Sequence, residues 1–399
     1  MIELSLTEEQ QEIQALARRF AREVIRPAEI ALDKMADPET VFDSPIFRET
    51  LKKAYTLGFH KMGIREDLGG LGLDPVTTGL VWEELAVGGV GITATLLAAP
   101  VAPLFLSVLA SGRTDLIDRF VRPYCEDTGA SRISAWGSSE PNIGSDGSNY
   151  HDPGVHHETK ARKEGTEWVI DGAKSSFVSN GGIADFFLLF CCVDPSKGIP
   201  GSGVFLVLYG EGVTRGRALD KIGMRALNQA ELAFDRVCIP EDYMIMPPGD
   251  SYPMMHNAIK TVGNIGVGYL AVGLLRAAYE EALSYAKERV QWGRPIFEHE
   301  AVAFRLFEAF QAMEAARGLL WKASWTLANK FLGDFRLSAA ARVFATNMAM
   351  KHTVEMVQVL GGYGISKEFT LEKYMRDAKL LQIMDATNEI IALKGAALL

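Results

Sequence analysis

Residues 186–193, Phe186-Phe187-Leu188-Leu189-Phe190-Cys191-Cys192-Val193, form an apolar run of strand length near the middle of a 399-residue chain. Similar β-rich runs lie at Ile133 to Ser138, Trp168 to Ile170, Val204 to Tyr209 and Leu232 to Ile239, separated by Gly, Pro and Asp. Together they predict a compact β domain. On either side the period changes to that of helices: patterns run to about Cys125 before it, and over roughly 256 to 290, 297 to 331, 337 to 360 and 368 to 380 after it. The order helices, strands, helices is that of an α+β protein and excludes an alternating βαβ chain with a Rossmann sheet.

Composition narrows the class. A chain of this length buries a large core without disulfides. Cys125, Cys191, Cys192 and Cys238 show no CxxC or Cys/His spacing, so reduced thiols are expected, with no metal site and no redox pair. A formal net charge of -9 argues against broad nucleic-acid binding. The first 20 residues turn charged and amphipathic at once, Thr7-Glu8-Glu9-Gln10 reading as a capping box, and no export signal is visible. A cytoplasmic location is expected. The segment Val90 to Ala110 is uncharged, but Gly91, Pro100 and Pro103 interrupt it, predicting a buried, broken helix and no membrane insertion.

Two segments of the β region carry small residues and hydroxyls that permit close approach to a flat polar ring. They are Trp136-Gly137-Ser138-Ser139-Glu140-Pro141-Asn142-Ile143-Gly144-Ser145-Asp146 and Lys174-Ser175-Ser176-Phe177-Val178-Ser179-Asn180-Gly181-Gly182. Their order and separation resemble the flavin-contacting segments of acyl-CoA dehydrogenases, close to T-E-P-x-x-G-S-D and W-I-(T/S)-N-G. The resemblance extends along the chain. Met224-Arg225 with Glu231 to Val237 is similar to M-G-x-R and E-L-x-F-D-x-V, a structural element; Glu288 to Pro295 is similar to E-R-x-x-F-G; Gln358 to Gly364 is similar to Q-x-x-G-G-x-G. Finally, Met375-Arg376-Asp377-Ala378-Lys379 and Ile383 to Ile390 are similar to M-R-D-A-(K/R) and I-Y-E-G-T-x-(E/Q)-I.

That resemblance implies an N-terminal helical domain at 1–130, a middle β-barrel-like domain at 131–242 and a C-terminal four-helix bundle at 243–399. It implies FAD as cofactor, an acyl-CoA substrate, electron-transferring flavoprotein as acceptor and a homotetramer built as a dimer of dimers. Trp136, Ser138, Ser139 and Phe177 would meet the flavin, with Phe177 where the family commonly has Trp, and Ser179 would place a hydroxyl near N5. Ser145 would meet cofactor and substrate. Arg289 would clamp the pyrophosphate beside Trp292. Gln358, Gly361 and Gly362 would reach the FAD of a neighbouring subunit, and Thr387 and Glu389 would complete the cofactor set.

Asp385 stands at the position of the family's catalytic Glu. Dehydrogenation of a thioester needs a base for the α-proton, a hydride acceptor and donors for the carbonyl oxygen, here including the backbone N–H of Ala386. Asp is one methylene shorter than Glu, which moves the charge by about 1.5 Å. Met384 suggests an apolar setting that strengthens the carboxylate as a base. The other base position known in the family aligns with Gly263, which carries no side chain.

Other departures bear on the substrate. Asn264, expected to contact substrate, replaces an Arg frequent near CoA; Glu300 stands where Gln is frequent; the tail 391–395 lacks the usual arginines. The stretch Gly147 to Glu158, with His151, His156 and His157, is longer than its family counterpart and reads as a surface loop rather than a metal site. Thr93 to Ala99, aligned with the acyl pocket, holds no Lys or Arg, which disfavours a dicarboxylyl group and favours an uncharged acyl group, with the alicyclic class attractive. The rival readings are a nitroalkane-oxidase-like flavoprotein, which also uses Asp at this position, and a non-catalytic scaffold.

Overall fold

The capping box forms as the sequence predicts. Gln10 N–H donates to Thr7 Oγ1 at 3.2 Å and Thr7 N–H donates to Gln10 Oε1 at 3.1 Å, opening the helix Glu8–Phe20. The structure, a computed structural model, describes residues 5–110 and 112–399. Helices fill the chain to Glu126. The apolar segment breaks at Ala99 and Pro100 into Val90–Ala98 and Val101–Leu109, and residues 90–96 are buried. This segment and the helix Tyr252–Glu288 both have the length and apolarity to cross a membrane, but 83% of the apolar window of Tyr252–Glu288 lies inside the fold.

Eight strands form one sheet: β1 Ser134–Gly137, β2 Lys160–Glu164, β3 Glu167–Ser179, β4 Phe186–Cys192, β5 Ser202–Leu208, β6 Val213–Arg215, β7 Gln229–Pro240 and β8 Met244–Met246. The ladder runs β6-β7-β3-β2-β4-β5-β8, with β1 added parallel to β4 in the register Ser134↔Phe186. Every residue of β4 is buried, as its unbroken apolar run requires of a strand covered on both faces. The ladder's two ends, β6 and β8, do not pair with each other among the described residues. The sheet continues past the expected boundary at 242 because β8 pairs with β5. Strand β2, Lys-Ala-Arg-Lys-Glu, escapes sequence reading because only Ala161 is buried and the charged neighbours face solvent.

The C-terminal part packs Tyr252–Glu288, Glu300–Asn329, Phe335–Leu360 and Leu371–Leu381 as a bundle, with Asn388–Ala396 laid against Phe335–Leu360. A buried ionic cluster stitches the three parts together. Glu29 accepts from the Gly91 and Ile92 N–H groups at 3.1 and 2.9 Å and from Lys373 Nζ at 3.0 Å. Lys373 also pairs with Asp377, 2.5 Å away, and Asp377 accepts from the Met224 N–H. Met224 is thus a junction residue, in keeping with the structural role expected of Met224-Arg225.

Candidate active site

Asp385 lies in the short connection between Leu371–Leu381 and Asn388–Ala396. Its backbone is left-handed, φ 55°, and that of Ala386 is φ 84°, a conformation that favours glycine. Arg342, fully buried, holds this turn from below. Its guanidinium donates to the Asp385 carbonyl at 3.1 Å, to the Ala386 carbonyl at 2.5 Å and to the Met384 carbonyl. Burial lowers the pKa of Arg342 from its ordinary value, and the charge of Asp385 opposes that. Three carbonyls on one rigid cation over-determine a strained turn.

Asn264 belongs to this support. It is fully buried, its Oδ1 accepts from Arg342 at 3.0 Å and its Nδ2 donates to Ser338 Oγ at 3.3 Å. Asn264, expected to contact substrate, is thus seated in the interior on the guanidinium beneath Asp385.

The carboxylate meets the helix Tyr252–Glu288. Lys260 Nζ lies 2.5 Å from Asp385 Oδ1, and Oδ2 lies 2.5 Å from where a Cβ on Gly263 would stand. Residues 385 and 263 thus converge in space, and only Asp385 carries a side chain. The apolar setting expected from Met384 gives way here to an ion pair, because Lys260, unnoticed in the sequence, reaches the carboxylate. The Ala386 N–H has no acceptor among the described residues.

The two flavin-type segments adjoin. Ser175 N–H donates to the Ser139 carbonyl at 2.9 Å, and Lys174 pairs with Glu140 in the interior. Between Lys174 and Val178 the pairing of β3 with β7 is irregular, so this stretch leaves the regular ladder. Phe177 is 63% exposed, and the hydroxyls of Ser138, Ser139 and Ser179 have no hydrogen-bond partner among the described residues. Ser175 Oγ and Asn180 Oδ1 are buried without a partner. An uncovered aromatic face beside unpaired hydroxyls fits a flat ring edged with hydrogen-bonding groups, as in a flavin. Trp136 packs edge-on to Phe190 at 4.6 Å. Ser145 sits exposed in a 3₁₀ turn, Ser145–Ser148.

A chain of contacts leads from these segments towards Asp385. Asn180 Nδ2 donates to the Thr95 carbonyl at 3.1 Å, which joins the end of β3 to the expected acyl-pocket segment. Two residues on, Leu97 lies against Gly266, with its methyl carbons 3.0 Å from a Cβ placed there. Gly266 is one turn from Gly263.

The remaining candidates form a separate exposed group. Arg289 lies over the ring of Tyr363 at 5.8 Å, next to Gly361 and Gly362, and Gln358 is exposed beside them. Trp292 is 95% exposed at the tip of a two-residue hairpin turn, φ 53°, followed by Gly293 at φ 82°. No hydrogen bond, ion pair or ring contact among the described residues ties this group to the serines or Asp385. Thr387 precedes Asn388–Ala396 without a side-chain capping bond, and Glu389 is exposed in that helix's first turn, its pKa lowered by hydrogen bonds from its own backbone and Thr387.

The loop after Ser145 is less superficial than expected. His157 is fully buried, with Nδ1 2.8 Å from Ser202 Oγ. Tyr150 Oη lies 2.5 Å from His256 Nδ1 and accepts from Lys394 Nζ at 2.7 Å. Burial, reinforced by Lys260, pushes the Lys394 pKa down to about 8. Tyr150, His256 and Lys394 went unread because they come from three distant parts of the chain. A separate cleft of about 430 Å³, lined by Glu39, Phe42, Arg48, Arg215 and Asn228 among others, shares no residue with this constellation.

Three family models match the chain: acyl-CoA dehydrogenase N-terminal domain over residues 7–127, middle domain over 135–237 and C-terminal domain over 258–397. A short-chain-specific acyl-CoA dehydrogenase of Clostridium acetobutylicum is 31% identical over 98% of this chain and 97% of its own. A cyclohex-1-ene-1-carbonyl-CoA dehydrogenase of Syntrophus aciditrophicus is 31% identical over 96% and 88%. Among solved structures, butyryl-CoA dehydrogenase of Megasphaera elsdenii superposes with TM-score 0.88 at 30% identity over the whole of both chains. A chain from a structure described as the electron-transferring flavoprotein of Acidaminococcus fermentans gives 0.88 at 29%, again over both whole chains. Nitroalkane oxidase gives 0.90 at 23% over 99% of this chain and 96% of its own, a likeness of fold alone. Fold and site define a flavin-dependent oxidoreductase, and the chain belongs to the acyl-CoA dehydrogenase family. Its cofactor is FAD and its activity is that of an acyl-CoA dehydrogenase.

Proposed function

We propose that Asp385 is the base of this dehydrogenase and that it acts on an uncharged, alicyclic acyl-CoA of the cyclohexane-carboxyl type. The observation that carries the reading is the seat of Asp385: a strained turn fixed by Arg342, with one carboxylate oxygen over the open backbone of Gly263 and an unpaired N–H at Ala386. Ser138, Ser139, Phe177 and Ser179 would hold the flavin ring, and Arg289 with the Gly361-Gly362 turn would hold the pyrophosphate of a neighbouring subunit's FAD. A flavin held there would supply the acceptor for a hydride from the substrate's β-carbon. Asp385 takes the α-proton, and the Ala386 N–H steadies the negative charge that develops on the thioester oxygen. Thr93 to Ala99 offers no cation for a second carboxylate, which supports an uncharged acyl group.

Electron-transferring flavoprotein is the acceptor we infer, and a homotetramer the assembly. Phe304, Phe307 and Phe331, each more than 60% exposed, support an oligomer, since large rings are costly to leave in water. The short base also suits a nitroalkane-oxidase-like reaction, which is the second reading.

The test is anaerobic titration of the oxidised protein with linear, branched and alicyclic CoA thioesters while flavin bleaching is followed. Fastest bleaching by the alicyclic members is expected, and Asp385→Asn should bind them without bleaching. Oxygen consumption with nitroalkanes, and no bleaching by any thioester, would overturn the reading.

A further inference from the structure

The two oxygens of Asp385 have different surroundings. Oδ1 receives the Lys260 ammonium at 2.5 Å, and the same ammonium lies 3.4 Å from the Asp385 carbonyl. Oδ2 faces the bare Cα of Gly263, one turn further along the helix. Lys260 is held in place, its side chain only 11% exposed. The charged and titratable groups around it are His256 on its own helix, Lys394 on Asn388–Ala396, Arg342 on Phe335–Leu360 and Tyr150 from the loop after Ser145. None of these is acidic. Among the described residues Asp385 is the only carboxylate in ion-pair contact with Lys260.

A carboxylate on a short side chain reaches its target only if its orientation is fixed, because there is one torsion fewer with which to adjust. A single ammonium touching both the carboxylate and the backbone of one residue supplies that constraint. Its contact with Oδ1 leaves the lone pairs of Oδ2 unused.

We propose that Lys260 is a positioning residue that holds Asp385 Oδ1, so that Oδ2, over Gly263, is the oxygen that takes the substrate's α-proton. The inference rests on Asp385 as the base. In the proton step the α-C–H bond breaks, the proton passes to Oδ2, and the electron pair stays with the α-carbon and its thioester carbonyl. Lys260 takes no part in the transfer.

The test isolates this step. Phenylacetyl-CoA has α-protons but no β-hydrogen to lose, so exchange of its α-protons with deuterated solvent, followed by NMR on the FAD-loaded protein, reads the base alone. Flavin reduction by cyclohexane-1-carbonyl-CoA, which has both an α-hydrogen and β-hydrogens, is measured in parallel. Lys260→Met should slow both by about 100-fold while the Kd of phenylacetyl-CoA changes by less than about 3-fold, since misplacement of a reacting group by about 1 Å costs on that order. Lys260→Arg should recover most of the loss, because it restores a donor to Oδ1. If Lys260→Met does not retain flavin, Lys260→Leu, which also has no donor, is read the same way. Exchange at the wild-type rate in the flavin-loaded variant, or a loss confined to Kd, would overturn the proposal. Asp385→Asn separates the two claims: abolished exchange there keeps the base whatever Lys260 does, and undiminished exchange removes both.

Discussion

Lys174 and Glu140 form an ion pair 2.5 Å apart in which neither side chain has any solvent exposure. Lys174 also donates to the Phe190 carbonyl, and Glu140 accepts from the Glu158 and Thr159 N–H groups. The pair therefore locks together the two segments assigned to the flavin ring. Lys174→Met leaves a buried carboxylate without its cation, a change that costs about 3–5 kcal/mol. Urea unfolding should show that loss, and purified Lys174→Met should carry less flavin per chain than the wild type. The double variant Glu140→Leu with Lys174→Met should regain part of the stability, because it leaves no charge behind. Full stability in the single variant would contradict the buried pairing.

A side chain at Gly263 competes with the Asp385 carboxylate for one position. Gly263→Ala puts a Cβ 2.5 Å from the present site of Asp385 Oδ2, so the carboxylate must move. Flavin reduction should fall by about 100-fold, with folding and flavin content retained. Stopped-flow bleaching measures this. An unchanged rate would mean that the oxygen over Gly263 takes no part in the chemistry.

Ala386 adopts a backbone conformation, φ 84°, that carries a penalty of roughly 1–2 kcal/mol for a residue with a Cβ. Glycine removes that penalty but adds roughly 0.5–1 kcal/mol of chain entropy on folding. Ala386→Gly should accordingly stabilise the protein by about 0.5–1 kcal/mol, a small rise in the urea midpoint. Activity should persist, since the N–H at this position is kept. A clear destabilisation would show that the Ala386 methyl has packing value that outweighs its strain.

Much of this was legible in the sequence, and the parts that were not have a common cause. The buried strand at 186–192, the broken helix at Pro100 and the capping box at Thr7 are dictated by residues close together in the chain. So was the place of Asp385, because the segment around it kept its pattern. The partners of Asp385 were hidden. Lys260 looks like any polar residue on a helix, and Arg342 like any arginine among alanines, until folding brings their heads to one turn. An Arg is frequent at the position of Asn264; in this chain a cation, Arg342, comes from the neighbouring helix, and Asn264 accepts from it. The spacing of Lys260 from Gly263, three residues on a helix, is the one available signal that the two share a helix face.

Buried histidines set the response to acid. His60 stacks on Tyr55 at 4.0 Å, and burial, helped by Lys61, lowers its pKa to about 4. Burial also holds His157 and His256 well below their ordinary range. For each, the folded-state pKa is below the unfolded one, near 6.5, so between about 4 and 6.5 the unfolded chain binds more protons. Stability should therefore decline as pH falls through that window, before carboxylates such as Asp334, lowered to about 2 chiefly by Arg336, are protonated. Urea midpoints taken from pH 7 down to 4.5 should fall progressively. His60→Asn should be less stable than wild type at pH 7, having lost the stack on Tyr55, yet its decline should be shallower by up to about one proton. Parallel declines in the two proteins would show that His60 is not among the groups that resist protonation.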